Sequence, residues 1–176
     1  MADDTSLPGP GTRVKTESAP LDFPEVYRRE MPLLVRFVMK HGARPQEAVD
    51  AAQEAFATAY PVWESIRFPA RWLRTVATRL YFRTKLREDL PGELPETGAE
   101  FHLPTNIQLS EQEREVYAAL SALPPRQRQV MAWFYDRYTV GEIAEELGVT
   151  EAAVRQNLHR ARVTLKAHLS GRGGAR

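Results

Sequence analysis

Apolar residues recur every three or four positions in each patterned stretch of this chain, and no stretch keeps the one-in, one-out alternation of a half-buried strand. The chain therefore reads as all-α, with essentially no sheet. Proline and glycine divide the pattern into helices. Phe23, Val26, Tyr27, Leu33, Leu34, Phe37 and Val38 outline the first, with Asp22 as its cap, Pro24 in the first turn and Gly42 at its end. Pro32 lies inside that pattern and is expected to kink or split the helix. A second helix over residues 45–60 puts Val49, Ala52, Phe56 and Ala59 on one face, and a third over 70–86 does the same with Leu73, Val76, Ala77 and Leu80.

Residues 90–106 hold Pro91, Pro95, Pro104, Gly92 and Gly98 among acids without periodicity, the composition of a linker. Beyond it, Ser110 and Glu113 form a capping box, Leu123-Pro124-Pro125 stops one helix and opens another over 126–135, and Thr139 with Glu142 forms a second box. The short helix that follows turns Ile143, Ala144 and Leu147 inward. Gly148 ends it, and Thr150 caps a longer helix whose inward stripe is Val154, Leu158, Ala161 and Leu165. A small residue, a turn glycine and a branched apolar residue at Ala144, Gly148 and Val154 meet the packing requirement of a helix-turn-helix. The predicted organisation is two small helical domains, a bundle over 21–88 and a helix-turn-helix domain over 110–170. A flexible acidic linker over 89–109 joins them, with a disordered leader over 1–20 and a disordered tail over 171–176.

The chain has no cysteine, so disulfides, thiolate metal sites and a cysteine nucleophile are excluded. His41, His102, His159 and His168 are scattered singly, and no metal or cofactor is expected. No acid pair, nucleophile with its base or phosphate loop emerges, which argues against an enzyme. The longest apolar run, Val130 to Tyr135, is far short of the roughly 20 residues of a membrane span. The first twenty residues lack the apolar stretch of a secretory signal, so the product is expected to stay in the cytoplasm.

The net charge of +1 conceals segregation. Arg67 to Arg87 holds seven basic residues and no acid; Glu88 to Glu113 holds seven acids and no Lys or Arg; after Glu151 six basic residues follow and no acid. A charge run alone reads as a solvated face, but two basic blocks flanking an acidic joint suggest a polyanion bound in two places. On the last helix Arg155, Gln156 and His159 face away from the apolar stripe and could reach base edges, while Arg160, Arg162 and Lys166 meet phosphates. On the third helix Arg71, Thr75, Thr78, Phe82 and Lys85, with Arg74 and Tyr81 at the edge, mix cations with aromatics, the ingredients of single-strand binding. Burial of Phe82 or Tyr81 in a three-helix core is the other reading of the same spacing. Asp50, Gln53 and Glu54 share a face of the second helix.

Leu123-Pro124-Pro125-Arg126-Gln127-Arg128-Gln129-Val130, Ile143-Ala144-Glu145-Glu146-Leu147-Gly148-Val149 and the Val154 to Leu165 stretch with His159-Arg160-Ala161-Arg162 resemble region 4 of bacterial sigma-70 family factors, the extracytoplasmic function (ECF) group in particular. Asp50-Ala51-Ala52-Gln53-Glu54-Ala55-Phe56 is similar to the family's region 2 signature, and Trp72-Leu73-Arg74-Thr75-Val76-Ala77 to its minus-10 helix. The resemblance implies a promoter-recognition subunit. Its last helix would recognise the minus-35 duplex and its third helix would bind and melt minus-10 DNA, with the loop over 65–71 pocketing a flipped base. Core RNA polymerase would be held through the beta-prime clamp, at Asp50, Gln53 and Glu54, and through the beta flap, and an anti-sigma factor is a further candidate partner. Arg79 and Arg83 depart from the pattern, where many members carry Asn and Asp. The alternative is a helix-turn-helix regulator that binds duplex DNA without polymerase. Tethering by the linker would raise the effective concentration of the second module without fixing a geometry.

Overall fold

The computed structural model describes residues 22–88 and 109–172; the expected leader, all but the last residue of the expected linker, and residues 173–176 lie outside them. The described order is α1 (Phe23–Lys40), α2 (Pro45–Ala59), a 3₁₀ helix (Tyr60–Ser65), α3 (Pro69–Glu88), α4 (Glu111–Ser121), α5 (Pro125–Tyr135), α6 (Val140–Leu147) and α7 (Glu151–Arg172), with no strand among the described residues. Pro45, Pro69 and Pro125 each open a helix, where a missing N–H has no bond to lose.

Pro32 does not split α1, which runs through it unbroken. Pro32 and Arg28 both lie on the exposed side, where the Arg28 carbonyl deprived of its helical partner can meet water, while Met31, Leu34 and Val35 beside it are buried. Asp22 makes no side-chain cap; only its carbonyl takes part, accepting from the Val26 N–H at 3.0 Å. The 3₁₀ helix was not legible in the spacing. It is held by Phe23, whose ring lies edge-on to Trp63 at 4.8 Å and to Tyr60 at 5.0 Å.

In the first lobe α2 is the middle element. Ala48, Ala51, Ala52, Ala55 and Ala59 are all buried, and these small side chains let α1 and α3 close on it. Leu34, Phe37 and Val38 of α1, Phe56 of α2, and Leu73 and Ala77 of α3 fill the space between. Truncating Phe56 or Leu73 to Ala would cost about 2–5 kcal/mol by lost burial and the cavity left behind. The second lobe packs Leu120, Leu123, Val130, Trp133, Ile143, Val154, Leu158 and Ala161 among α4 to α7.

The lobes are not independent modules. Their buried apolar residues form one continuous cluster, and the Phe37 ring of α1 meets the Trp133 ring of α5 edge-on at 4.8 Å. Across the same seam the Arg36 Nε donates to Glu113 Oε1 at 2.8 Å. The guanidinium of Arg128 caps the end of α4 through the carbonyls of Leu120, Ser121 and Leu123, and also reaches the His41 carbonyl at 3.5 Å. The described lobes thus close on each other, and apolar spacing within a helix does not reveal this because it does not say against which lobe a face will close.

His41 ends α1 inside this seam, with Nδ1 at 3.0 Å from the Phe37 carbonyl and its ring between those of Phe37 and Phe82. Burial pushes its pKa from 6.5 down to about 4, so it is neutral in the folded chain. Between those two values the unfolded chain takes up a proton that the folded chain refuses. Stability therefore rises with pH across that window and falls as pH drops through it, by about 3 kcal/mol in total. Urea unfolding at about pH 7 and about pH 4 should show this loss, and His41→Gln should remove most of that difference; an unchanged pH dependence in the variant would assign it to other groups.

Candidate nucleic-acid interface

The turn between α6 and α7 is built as its residue types require. Thr139 Oγ1 accepts from the Glu142 N–H at 3.3 Å and the Glu142 carboxylate accepts from the Thr139 N–H at 2.8 Å, closing the capping box. These bonds from Thr139 hold the Glu142 carboxyl below its usual range. At the other end Gly148 takes φ 61° and ψ 40°, and Val149 N–H donates back to the Ala144 carbonyl at 3.0 Å. Arg126 of α5 donates to the Leu147 carbonyl at 3.2 Å, a second cap that spacing did not suggest. Thr150 Oγ1 accepts from the Ala153 N–H at 3.2 Å and starts α7.

α7 buries Val154, Leu158 and Ala161 and leaves Leu165 half-buried. Arg155, Gln156, His159, Arg160, Arg162 and Lys166 are all exposed, so the six residues assigned to this face stand together on it. Arg155 is paired with Glu151 one turn earlier, and the Arg162 guanidinium lies over the Phe134 ring at 5.1 Å.

The face expected on α3 is divided. Arg71 is half-buried and donates to Glu145 Oε2 of α6 at 3.1 Å and to the Glu142 carbonyl at 3.4 Å. Thr75 and Phe82 are half-buried, and Lys85 is paired with Glu47 of α2. Arg74 and Thr78, expected at the wet side, are buried: Thr78 turns back to the Arg74 carbonyl at 2.6 Å, and Arg74 is 7% exposed. Arg74 Nε donates to Asp136 Oδ2 at 2.7 Å and its Nη1 to Glu30 Oε2 at 3.2 Å, while Lys40 takes the other oxygen of Asp136. Burial by itself would lower the Arg74 pKa; the bond and charge of Asp136, with the bond from Glu30, outweigh it and raise the value. Asp136 ends α5, and Arg137 after it adopts φ 71°.

Sequence reasoning missed Phe68. It stands on the short loop before α3, 64% exposed, with the Arg67 guanidinium over its ring at 5.3 Å. Beside it opens a cleft of about 480 Å³ lined by Val62, Phe68, Arg71, Trp72, Arg79 and Glu146. An aromatic residue immediately before the proline that opens a helix was the available signal. On α2, Asp50 and Glu54 are exposed and Gln53 is half-buried; Asp50 accepts from Gln46 at 2.8 Å and Glu54 pairs with Arg83 at 3.3 Å. No group of His and acidic residues that could hold a metal occurs among the described residues. No helix among them is long and apolar enough to cross a membrane.

An all-helical chain with a helix-turn-helix in one lobe and a cationic helix beside an aromatic loop in the other belongs to the class of DNA-binding transcription proteins. The family models for Sigma-70 region 2 and Sigma-70, region 4 match residues 26–90 and 113–165. The chain is 30% identical to the RNA polymerase sigma-E factor of Streptomyces coelicolor over 86% of its length and 88% of that protein, and 30% identical to that of Streptomyces antibioticus over 86% and 87%. It belongs to the sigma-70 family, as a factor of the ECF type. In fold it is similar to the sigma factor RpoE of Bartonella quintana, solved with the anti-sigma factor NepR, with a TM-score of 0.62, 21% identity and coverage of 85% of this chain and 97% of that one. It is also similar to CnrH, solved with the cytosolic domain of CnrY, with a TM-score of 0.58, 19% identity and coverage of 85% and 88%.

Gly148 carries the turn that orients α7. A Cβ there meets nothing within 4 Å, so its cost is one of backbone conformation alone. Gly148→Ala should lower stability by about 1 kcal/mol and Gly148→Asn by less, measured by thermal unfolding; equal stability of Ala and Gly would mean the turn is not held left-handed.

Proposed function

We propose that this chain is a sigma factor that binds core RNA polymerase and directs promoter-specific transcription initiation, with α7 recognising minus-35 duplex and α3 meeting and melting minus-10 DNA. The observation that carries the reading is the exposed row of Arg155, Gln156, His159 and Arg160 on the second helix of a helix-turn-helix, in a chain that also matches region 2. Arg155, Gln156 and His159 would approach base edges in the major groove, and Arg160, Arg162 and Lys166 the phosphates. On α3, Arg71, Arg74, Thr75, Thr78, Phe82 and Lys85 form the proposed minus-10 set, and Arg74 and Thr78 would have to leave their present burial to touch DNA. Phe68 and the cleft beside it suit one unstacked base, since stacking on an aromatic ring offsets the cost of extruding it.

Asp50, Gln53 and Glu54 offer an acidic and amide rim for a cationic helical partner on the polymerase clamp, with the beta flap as the second contact through α4 to α7. Polymerase supplies the chemistry and this chain supplies the address, which places its work in the cytoplasm. RpoE was captured with an anti-sigma factor, and a protein of that kind is the third partner proposed.

Run-off transcription with core polymerase on genomic fragments should start at defined sites only when this chain is added; a duplex-binding regulator would neither co-migrate with core enzyme nor start transcripts. Gln156→Ala should cost about 1–3 kcal/mol at one base position and relax preference there, whereas Arg160→Ala should weaken binding to all sequences and reduce the salt slope by about one. Template competition at several salt concentrations separates the two. Glu54→Lys should weaken co-migration with core polymerase and leave the isolated chain folded by circular dichroism; retention of full binding would remove α2 from the polymerase contact.

A further inference from the structure

α7 is cationic along its length except at its first residue, since Glu151 is the one acid between Thr150 and Arg172. The two helices with capping boxes use such an acid to close them. Glu113 and Glu142 stand three residues after Ser110 and Thr139, whereas the matching position after Thr150 is Ala153, whose N–H donates to the Thr150 hydroxyl. Glu151 lies outside that cap. Its Oε2 accepts from Arg155 Nη2 one turn on, and its Oε1 lies beside the first turn of α6, where a Cβ on Gly141 would stand 3.5 Å away. The side chains of Glu151 and Arg155 are 52% and 62% exposed, and a pair so open to water contributes little to stability. An acid at the end of a helix that is to enter a groove between rows of phosphates also weakens binding to every duplex. That loss is offset only where a base offers the acid a donor.

We propose that Glu151 is a base-reading residue: with α7 in the major groove, its carboxylate accepts from the N4 amino group of a cytosine, while Arg155, braced against it, donates to a guanine close by. The proposal rests on the reading of α7 as the minus-35 helix. A recognition helix meets base edges through its N-terminal residues, and Glu151 is the first residue of α7. Cytosine shows the major groove an amino donor with no acceptor beside it on its own base. The amino group of adenine stands next to N7, whose lone pair repels a carboxylate. A guanidinium has five N–H donors, so the bond to Glu151 leaves enough for O6 and N7 of guanine. Four residues of helix advance about 6 Å and two base-pair steps about 7 Å, which sets the cytosine and the guanine within about two base pairs of each other. The bond to Glu151 also restricts the Arg155 side chain before DNA arrives, lowering the ordering cost of its contact.

The test uses the full chain bound to core polymerase and a library of promoter duplexes randomised over the minus-35 segment, with the retained duplexes sequenced. Wild type should favour cytosine at one position by about tenfold, with guanine within about two base pairs of it. Glu151→Gln should shift that one position toward adenine, because an amide matches N6 and N7, and leave the others as they were. Glu151→Ala should reduce the preference there to less than about twofold and bind random-sequence duplex about twofold more tightly, because a negative charge has left the space between the phosphates. If Glu151 served only to support α7, both variants would instead weaken binding to all sequences evenly and leave the base preferences unchanged. That result, or a responding position at which wild type does not favour cytosine, overturns the role of Glu151. A wild type that enriches no minus-35 sequence removes the reading of α7 itself, whereas a defined motif that both variants reproduce removes only the assignment of Glu151.

Discussion

Arg74 is a full positive charge with 7% of its surface in water, and the packing of three helices follows from that. A buried guanidinium is tolerated only when carboxylates accompany it, and here one comes from each lobe: Glu30 from α1 and Asp136 from the turn after α5. Lys40 joins on the far oxygen of Asp136 and Arg29 on the far oxygen of Glu30, so each carboxylate is shared between two cations. Phe37 lies under the Arg74 guanidinium at 5.5 Å and against Trp133, tying the charged cluster to the apolar one. The position of α5 over α1 and α3 is the arrangement that satisfies all of these groups together.

This cluster sits beneath the helix that is proposed to meet DNA, and that coincidence links stability to function. The residues that close the isolated chain are the ones whose charges a nucleic acid would recruit. The two faces proposed to meet DNA differ in their surroundings. On α7 the cations are exposed, with Arg155 paired to Glu151 and Arg162 lying over the Phe134 ring. On α3, Arg71 is paired with Glu145 of α6 and Arg74 with Asp136.

The sequence made the helices legible because capping chemistry and apolar period are local. Ser110 with Glu113, Thr139 with Glu142, and Gly148 in the left-handed region all behave as their types require. The same locality explains the failures. Pro32 reads as a break, yet its exposed side and the buried residues next to it keep α1 whole. Arg74 and Thr78 read as exposed by angle on the helix, yet both are buried, Arg74 between Glu30 of α1 and Asp136, which lies 62 residues further along the chain. Asp136 had no signal at all: a single acid after an aromatic run gains meaning only once Arg74 and Lys40 are seen around it. On α7, where nothing from the other lobe arrives, the residues chosen from spacing are the residues exposed.

The account stands on the closure of the two lobes about the buried Arg74 cluster. The chain has no cysteine, so a pair of labels can be placed at will, one at exposed Ala57 on α2 and one at exposed Ala167 on α7. The distance between them, measured by pulsed electron paramagnetic resonance, should be short and narrowly distributed in the free chain. A broad distribution extending to long distances would contradict it.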